Sequence, residues 1–441
     1  MTTAGTSGAA GARILRGSVV IAVAMAVMNL TTYGFTIFAA RLLGPVEYGA
    51  LAAVMGLLLV LNVLSLGLQA TGARRVAASP EDRSALQVAI MRTTYRSAAG
   101  LGLLCLLAVP AISGVLNLDS WTVAALIAVT VVPLTVMGGQ AGVLQGARRW
   151  APLAGIYLAV GVGRIVFGTV ALVVEPSTLA AMLGVSAGAF VPAVVGWWAL
   201  RRGPVSEPSG SSGDPGAPAG STGRLLAETV RNSHALLAFF ALSNIDVVVA
   251  RSVLDERQAG LYAGGLILTK AVLFLPQFVV VIVFPAMSST GSARRINLLA
   301  LGLVLAIGSA TVAGTALLSG LAVVFIGGPA YDAIQTWLWL FAALGTLLAM
   351  LQLMVYNVVA RQRQRRVLVL WAGLVAILAA GATAGDVSTL VVTVLAIDAL
   401  VFAVLLLRAG TRSRGRLAAD EVSVPPRASW ARSRPRRPGA R

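Results

Sequence analysis

Four ionisable residues sit deep inside apolar runs of this 441-residue chain: Arg164 in YLAVGVGRIVFG, Asp246 in SNIDVVVA, Lys270 in LILTKAVLF and Asp398 in VLAIDALVF. Charge at such depth costs roughly 2.5–3.5 kcal/mol on insertion scales and marks a pathway, a binding site or an ion pair. The two cations can hold an anion, Arg through paired donors on adjacent oxygens and Lys as a point charge. The two carboxylates can take up a proton or a sodium ion whose occupancy biases one conformation over another. A purely structural alternative pairs Asp246 with Lys270 across neighbouring helices and Asp398 with another polar group.

These residues need elements that hold them at one depth. The chain is 58% hydrophobic and 11% charged, whereas soluble globular chains carry about a quarter charged residues. A helix crosses hydrocarbon with about 20 apolar residues because its backbone satisfies its own hydrogen bonds. Apolar runs between polar breaks fall at 17–40, 50–72, 98–116, 121–144, 152–174, 178–200, 233–254, 260–287, 298–325, 334–359, 367–384 and 388–407. The expected fold is therefore all-α and integral to the membrane, with 12 transmembrane helices.

Arginine placement checks that count. Basic residues cluster before segment 1 (Arg13, Arg16) and after segments 2, 4, 6, 8, 10 and 12, while the opposite loops hold only Arg41, Arg251 and Arg257 beside seven acids. The positive-inside rule then puts both termini in the cytoplasm of a multi-pass plasma-membrane protein. The first run is too long for a cleaved signal sequence. RRGPVSEPSGSSGDPGAPAGSTG, at 201–223, has the composition of a flexible linker. It divides an N-lobe at 17–200 from a C-lobe at 224–408, with disordered cytoplasmic ends at 1–16 and 409–441. Six is even, so the two six-helix lobes enter the membrane in the same direction, as parallel repeats do. ARLLGPVEYGALAAV after segment 1 has a counterpart, ARSVLDERQAGLYAGGLIL, after segment 7.

Other chemistries find no support. A net charge of +18 does not indicate nucleic acid, since the arginines lie in short loops between apolar runs. The single cysteine, Cys105, forms no intramolecular disulfide, and one histidine with one cysteine does not suffice for a zinc site without several carboxylates beside them. No nucleophile motif, phosphate loop or nucleotide fingerprint occurs, and no cofactor is expected beyond a coupling H+ or Na+.

ARLLGPVEYG followed by LSLGLQATGARRVA, and NIDVVVARSVLDERQAGLYAGGLIL, resemble helices 1–2 and 7–8 of the polysaccharide transporter branch of the multidrug/oligosaccharidyl-lipid/polysaccharide exporter superfamily. That resemblance implies a two-lobed flippase, not an enzyme, which turns lipid-linked oligosaccharide from the inner to the outer leaflet for cell-surface polysaccharide. Arg164 and Lys270 would then line a cationic cavity for the polyprenyl pyrophosphate, and Asp246 and Asp398 would form the coupling site for H+ or Na+. Asn29, Asn244 and Gln140 are candidates for contacts with sugar hydroxyls, although such residues more often fasten helix to helix. The arginine-rich tail is expected to meet anionic inner-leaflet lipids, and polysaccharide-assembly proteins are expected partners. Three rivals remain at this point: a cation-coupled drug exporter of the same fold, a regulatory or scaffold pseudo-transporter acting through its basic tail, and a membrane glycosyltransferase or polymer ligase, which would need a large catalytic loop.

Overall fold

The computed structural model describes residues 4–202, 222–273, 293–360 and 367–422. These residues form fifteen α-helices: α1 (Ala4–Leu61), α2 (Val63–Ala78), α3 (Arg83–Leu107), α4 (Val109–Val115), α5 (Trp121–Gly146), α6 (Trp150–Val174), α7 (Thr178–Arg201), α8 (Thr222–Leu242), α9 (Ile245–Val253), α10 (Glu256–Leu273), α11 (Ala293–Leu317), α12 (Ser319–Ile326), α13 (Leu338–Ala360), α14 (Val367–Gly381) and α15 (Val387–Val422), with a 3-10 stretch at Pro329–Trp337. Every expected apolar segment contains helix. Eight runs are long and apolar enough to cross a membrane, with α1 and α2 counted together, and a ninth if the α3–α4 pair, bent by 58°, is one span. Large apolar side chains cover the outside, among them Leu107 at 71%, Val174 at 81% and Leu317 at 83% exposure. Such a surface is stable in lipid and not in water.

Several boundaries depart from expectation. Helix begins at Ala4 rather than 17, α3 begins at Arg83 rather than 98, and α15 continues to Val422. The stretches 4–16 and 409–422, expected to be disordered, are thus helical. Alanine and arginine are good helix formers, so a helix can continue past the end of its apolar run. Segments 2, 3, 7 and 9 are each broken into two helices. The linker at 203–221, the end of segment 8 with Pro276 and Pro285, the arginines of 361–366 and the tail at 423–441 lie outside the described residues.

Local chemistry explains the turns. Gly44 has φ 67° and ψ 179°, a left-handed conformation that suits glycine, and Pro45 follows it; together they bend α1 where segment 1 gives way to segment 2. Glu47 at this bend accepts from the backbone N–H of Thr178 at 2.8 Å, which caps the start of α7. Asp386 caps α15, accepting from Thr389 N and Ser388 Oγ at 2.7 Å each. These bonds hold its carboxyl below the usual range.

Glycine spacing sets the helix packing inside the N-lobe. Gly138, Gly142 and Gly146 recur every fourth residue on α5, and a side chain at any of them would strike the backbone of α2 at Ser65, Gln69 or Ala73. With no hydrophobic drive between helices in lipid, this close approach supplies the attraction.

The lobes, α1–α7 and α8–α15, join mainly at the end that carries the acidic loops. Gly49 of α1 meets Gly260 of α10, where an added Cβ would lie 2.8 Å from the partner Cα. Arg251, 2% exposed, donates to the carbonyls of Leu116 at 3.0 Å and Asn117 at 2.9 Å. Asn117 returns a bond to Arg251 O at 2.8 Å. Arg41 donates to Val324 O at 2.6 Å and Tyr331 to Ala40 O at 3.2 Å. Towards the arginine-rich end, Gly67 of α2 packs on Thr229 and Ser233 of α8.

Gly260→Val should force this seam apart, because overpacking costs roughly 1–3 kcal/mol. In a Cys105→Ser background, a cysteine replacing Leu116, 2% exposed, should then react faster with a membrane-impermeant thiol reagent; an unchanged rate would show that the lobes do not close through this crossing.

Candidate functional site

A cavity of about 170 Å3 opens between the lobes, walled by α1, α6, α9 and α10 and by the break before α9. Its wall is mostly apolar, with Thr32, Thr36, Tyr33 and Tyr48 from α1, and its charged side chains are Arg164 and Lys270. The two cations that the sequence separates by 106 positions share one space. No carboxylate lines it among the described residues.

Arg164 arrives from α6, whose register is fixed on two sides. Gly161 and Gly168 fit against Met28, Thr31 and Phe35 of α1, and Gly163 meets Gly188 of α7. The guanidinium, partly buried, has no hydrogen-bond or ion-pair partner among the described residues. A buried cation without a partner is costly, so the position is one that an anion would stabilise.

Lys270 is held differently. Segment 7 breaks at Ser243 and Asn244, which leaves carbonyls of the α8 end free to accept. The Lys270 ammonium donates to Ser243 O at 2.7 Å and to Asn244 Oδ1 at 2.8 Å. A cation at a helix C-terminus also complements the helix dipole. Asn244, itself in the cavity wall, donates back to Phe240 O at 2.8 Å and to Ser243 Oγ at 3.1 Å. Lys270 therefore tethers the helix break to the cavity and makes no ion pair with Asp246 among the described residues, although the two lie within electrostatic range.

Behind the break lies a carboxylate cluster. Asp246, 1% exposed, sits in the first turn of α9, where Oδ1 accepts from Val247 N at 2.9 Å and Oδ2 accepts from the Tyr262 hydroxyl at 3.2 Å. Asp398 of α15 is fully buried, and neither of its oxygens has a partner among the described residues. It lies within electrostatic range of Asp246 and Tyr262. The structure thus places both expected carboxylates in the C-lobe within electrostatic range of each other, Asp246 two residues past Asn244.

The remaining candidates are placed elsewhere. Gln140, 1% exposed, donates to Ala193 O at 3.0 Å and packs on Gly196, so it fastens α5 to α7 and is absent from the cavity wall. Asn29 is partly buried on α1, one turn from Tyr33, and is also not in the wall. Sequence reasoning missed Tyr33, whose hydroxyl donates across the cavity to Ile267 O at 2.9 Å. It missed Tyr262 as well, although each is an isolated tyrosine in an apolar run, a pattern that could have flagged them.

Solved structures share this architecture. An inward-facing multidrug resistance MATE family transporter of the MOP superfamily matches with a TM-score of 0.66 at 12% identity, over 90% of this chain and 96% of that one. The lipid II flippase MurJ in its inward closed conformation gives 0.64 at 10% identity, over 88% of each chain. A MOP superfamily transporter from Pyrococcus furiosus, reported with a reversed polarity of its binding pocket, gives 0.52 at 15% identity, over 93% of this chain and 96% of that one. None of the curated proteins matches the chain. The fold is that of the MOP transporters, a multi-pass membrane architecture. Residues 14–291 match the polysaccharide biosynthesis protein family, and the chain belongs to that family. The chain thus combines membership of a polysaccharide biosynthesis protein family with the fold seen in MOP transporters.

The two cavity cations should behave in opposite ways on truncation. Lys270→Ala strips two acceptors of their donor, at about 1–3 kcal/mol, and should lower the melting temperature. Arg164→Ala removes no bond and should leave it unchanged or raised. Both are measurable in detergent by labelling Cys105, the only thiol, 3% exposed.

Proposed function

We propose that this protein is a flippase that carries lipid-linked oligosaccharide from the arginine-rich, cytoplasmic face to the opposite leaflet by alternating access. The observation that carries the proposal is the Arg164 guanidinium, in the wall of an interlobe cavity and, among the described residues, without a partner there and without an acid beside it. A polyprenyl pyrophosphate supplies the anion that such a site lacks, and paired donors on its oxygens offset part of the headgroup's lost hydration. A drug exporter for cationic compounds would need acids in this wall, where Arg164 and Lys270 stand instead.

Energy would enter through Asp246 and Asp398. Both carboxylates are buried, and Asp398 has no partner among the described residues, so H+ or Na+ would supply the positive charge that this site lacks. Binding in one lobe state more than the other shifts the conformational equilibrium by the difference in affinity. Anionic inner-leaflet lipids around the basic tail, and contacts with polysaccharide-assembly proteins, are proposed on charge and family alone.

The test is a liposome assay with purified protein and a fluorescent polyprenyl-pyrophosphate oligosaccharide. Wild type should move the label between leaflets, and Arg164→Ala should slow it at least about tenfold, the loss of a charge-assisted contact. Asp398→Asn should retain substrate binding while losing acceleration by an imposed proton or sodium gradient. A wild type that moves no lipid-linked sugar would sink the proposal.

A further inference from the structure

A second polar feature leads away from the cavity. On α6, Tyr157 lies seven residues from Arg164, so the two share one helix face about 10 Å apart along the axis. On the facing helices, Met55 lines the cavity, and Asn62 and Gln69 follow it at the same seven-residue spacing. The chains run antiparallel here, so Gln69 comes opposite Tyr157. Gln69 Nε2 donates to the Tyr157 hydroxyl at 2.8 Å and to Gln145 Oε1 at 3.0 Å. Between this cluster and the cavity, the buried Asn62 Oδ1 has no partner among the described residues.

The cluster has the chemistry of a carbohydrate site. Gln145 is exposed, and Gln69 and Tyr157 are partly so. Each amide presents both donor and acceptor groups, and the tyrosine adds a hydroxyl and a flat apolar ring. None of these groups is charged, which suits hydroxyls and not phosphates. The backbone of α2 is fixed at Gln69 by its close approach to Gly142, so the amide is positioned by rigid elements. Gln145 is followed within four positions by Arg148 and Arg149, so the stripe points from Arg164 towards the arginine-rich face. A headgroup with its pyrophosphate at Arg164 would extend its sugar in that direction.

We infer that Gln69, Gln145 and Tyr157 form a saccharide subsite of the N-lobe, about 10 Å from Arg164, which reads the sugar while Arg164 reads the phosphate. This inference rests on the flippase proposal for its substrate class and adds which residues recognise which part. The subsite selects for lipid diphosphates that carry at least a short saccharide and leaves a sugar-free lipid diphosphate to the cationic site alone.

Two soluble probes separate the parts: a disaccharide diphosphate on a short isoprenyl tail, and the same isoprenyl diphosphate without sugar. Binding to the purified full-length protein in detergent should be tighter for the disaccharide probe. Gln145→Ala and Tyr157→Phe should weaken that probe about tenfold, a hydrogen bond's contribution or slightly more, and leave the sugar-free probe unchanged. Arg164→Ala should weaken both. Equal affinity of wild type for the two probes overturns the subsite, as does an equal loss of both in Gln145→Ala and Tyr157→Phe, or no loss in either. The transport proposal fails separately, when wild-type vesicles move no lipid-linked sugar although the sugar-dependent binding is present.

Discussion

Hydrocarbon offers no hydrogen bonds, so a spanning chain must satisfy its polar groups from within, and those it leaves unsatisfied are conspicuous. Most of this protein obeys that demand. Threonines bond back to their own helices, as Thr130 does to Leu126 O at 2.6 Å, and Lys270 closes the open carbonyls of a broken helix. Arg164 and Asp398 are the charged exceptions among the described residues. One sits in the cavity wall between the lobes and the other inside the C-lobe, so the proposed anion site and the proposed coupling site occupy different places in the fold.

The break at Ser243 and Asn244 connects those two places. On one side its amide and carbonyl hold Lys270 in the cavity wall; on the other, two residues on, the first turn of α9 carries Asp246 and its bond from Tyr262. A continuous helix would bond its own carbonyls and deprive Lys270 of the Ser243 carbonyl. The irregular backbone is tolerated because it is buried in protein and lines a cavity rather than facing lipid.

Much of this was legible in the sequence, and the reasons differ by residue. Length and apolarity located the helical segments because a bilayer imposes one thickness on all of them. Arg164, Asp246, Lys270 and Asp398 stood out because charge is rare at that depth. Where each would point was not legible. A lone residue carries no record of its neighbours, so Gln140 and Asn244 look alike in sequence although one fastens α5 to α7 and the other lines the cavity. The break before α9 was hidden too, since SNID lacks the proline or glycine that usually announces one, whereas Pro110 stands beside the break between α3 and α4. The four-residue glycine spacing of VMGGQAGVLQG was visible and would have indicated the α2–α5 crossing.

The meeting of Gly49 with Gly260 has a historical consequence. These glycines close the two segments, ARLLGPVEYG and ARSVLDERQAG, that correspond between the halves of the chain. Contact between like positions is what a two-fold axis produces in a homodimer, where the same patch of each subunit meets itself. A six-helix ancestor that paired through this glycine would keep its interface after gene duplication and fusion. Each copy would then be free to specialise, one acquiring Arg164 and the other the carboxylates that only the second half now carries.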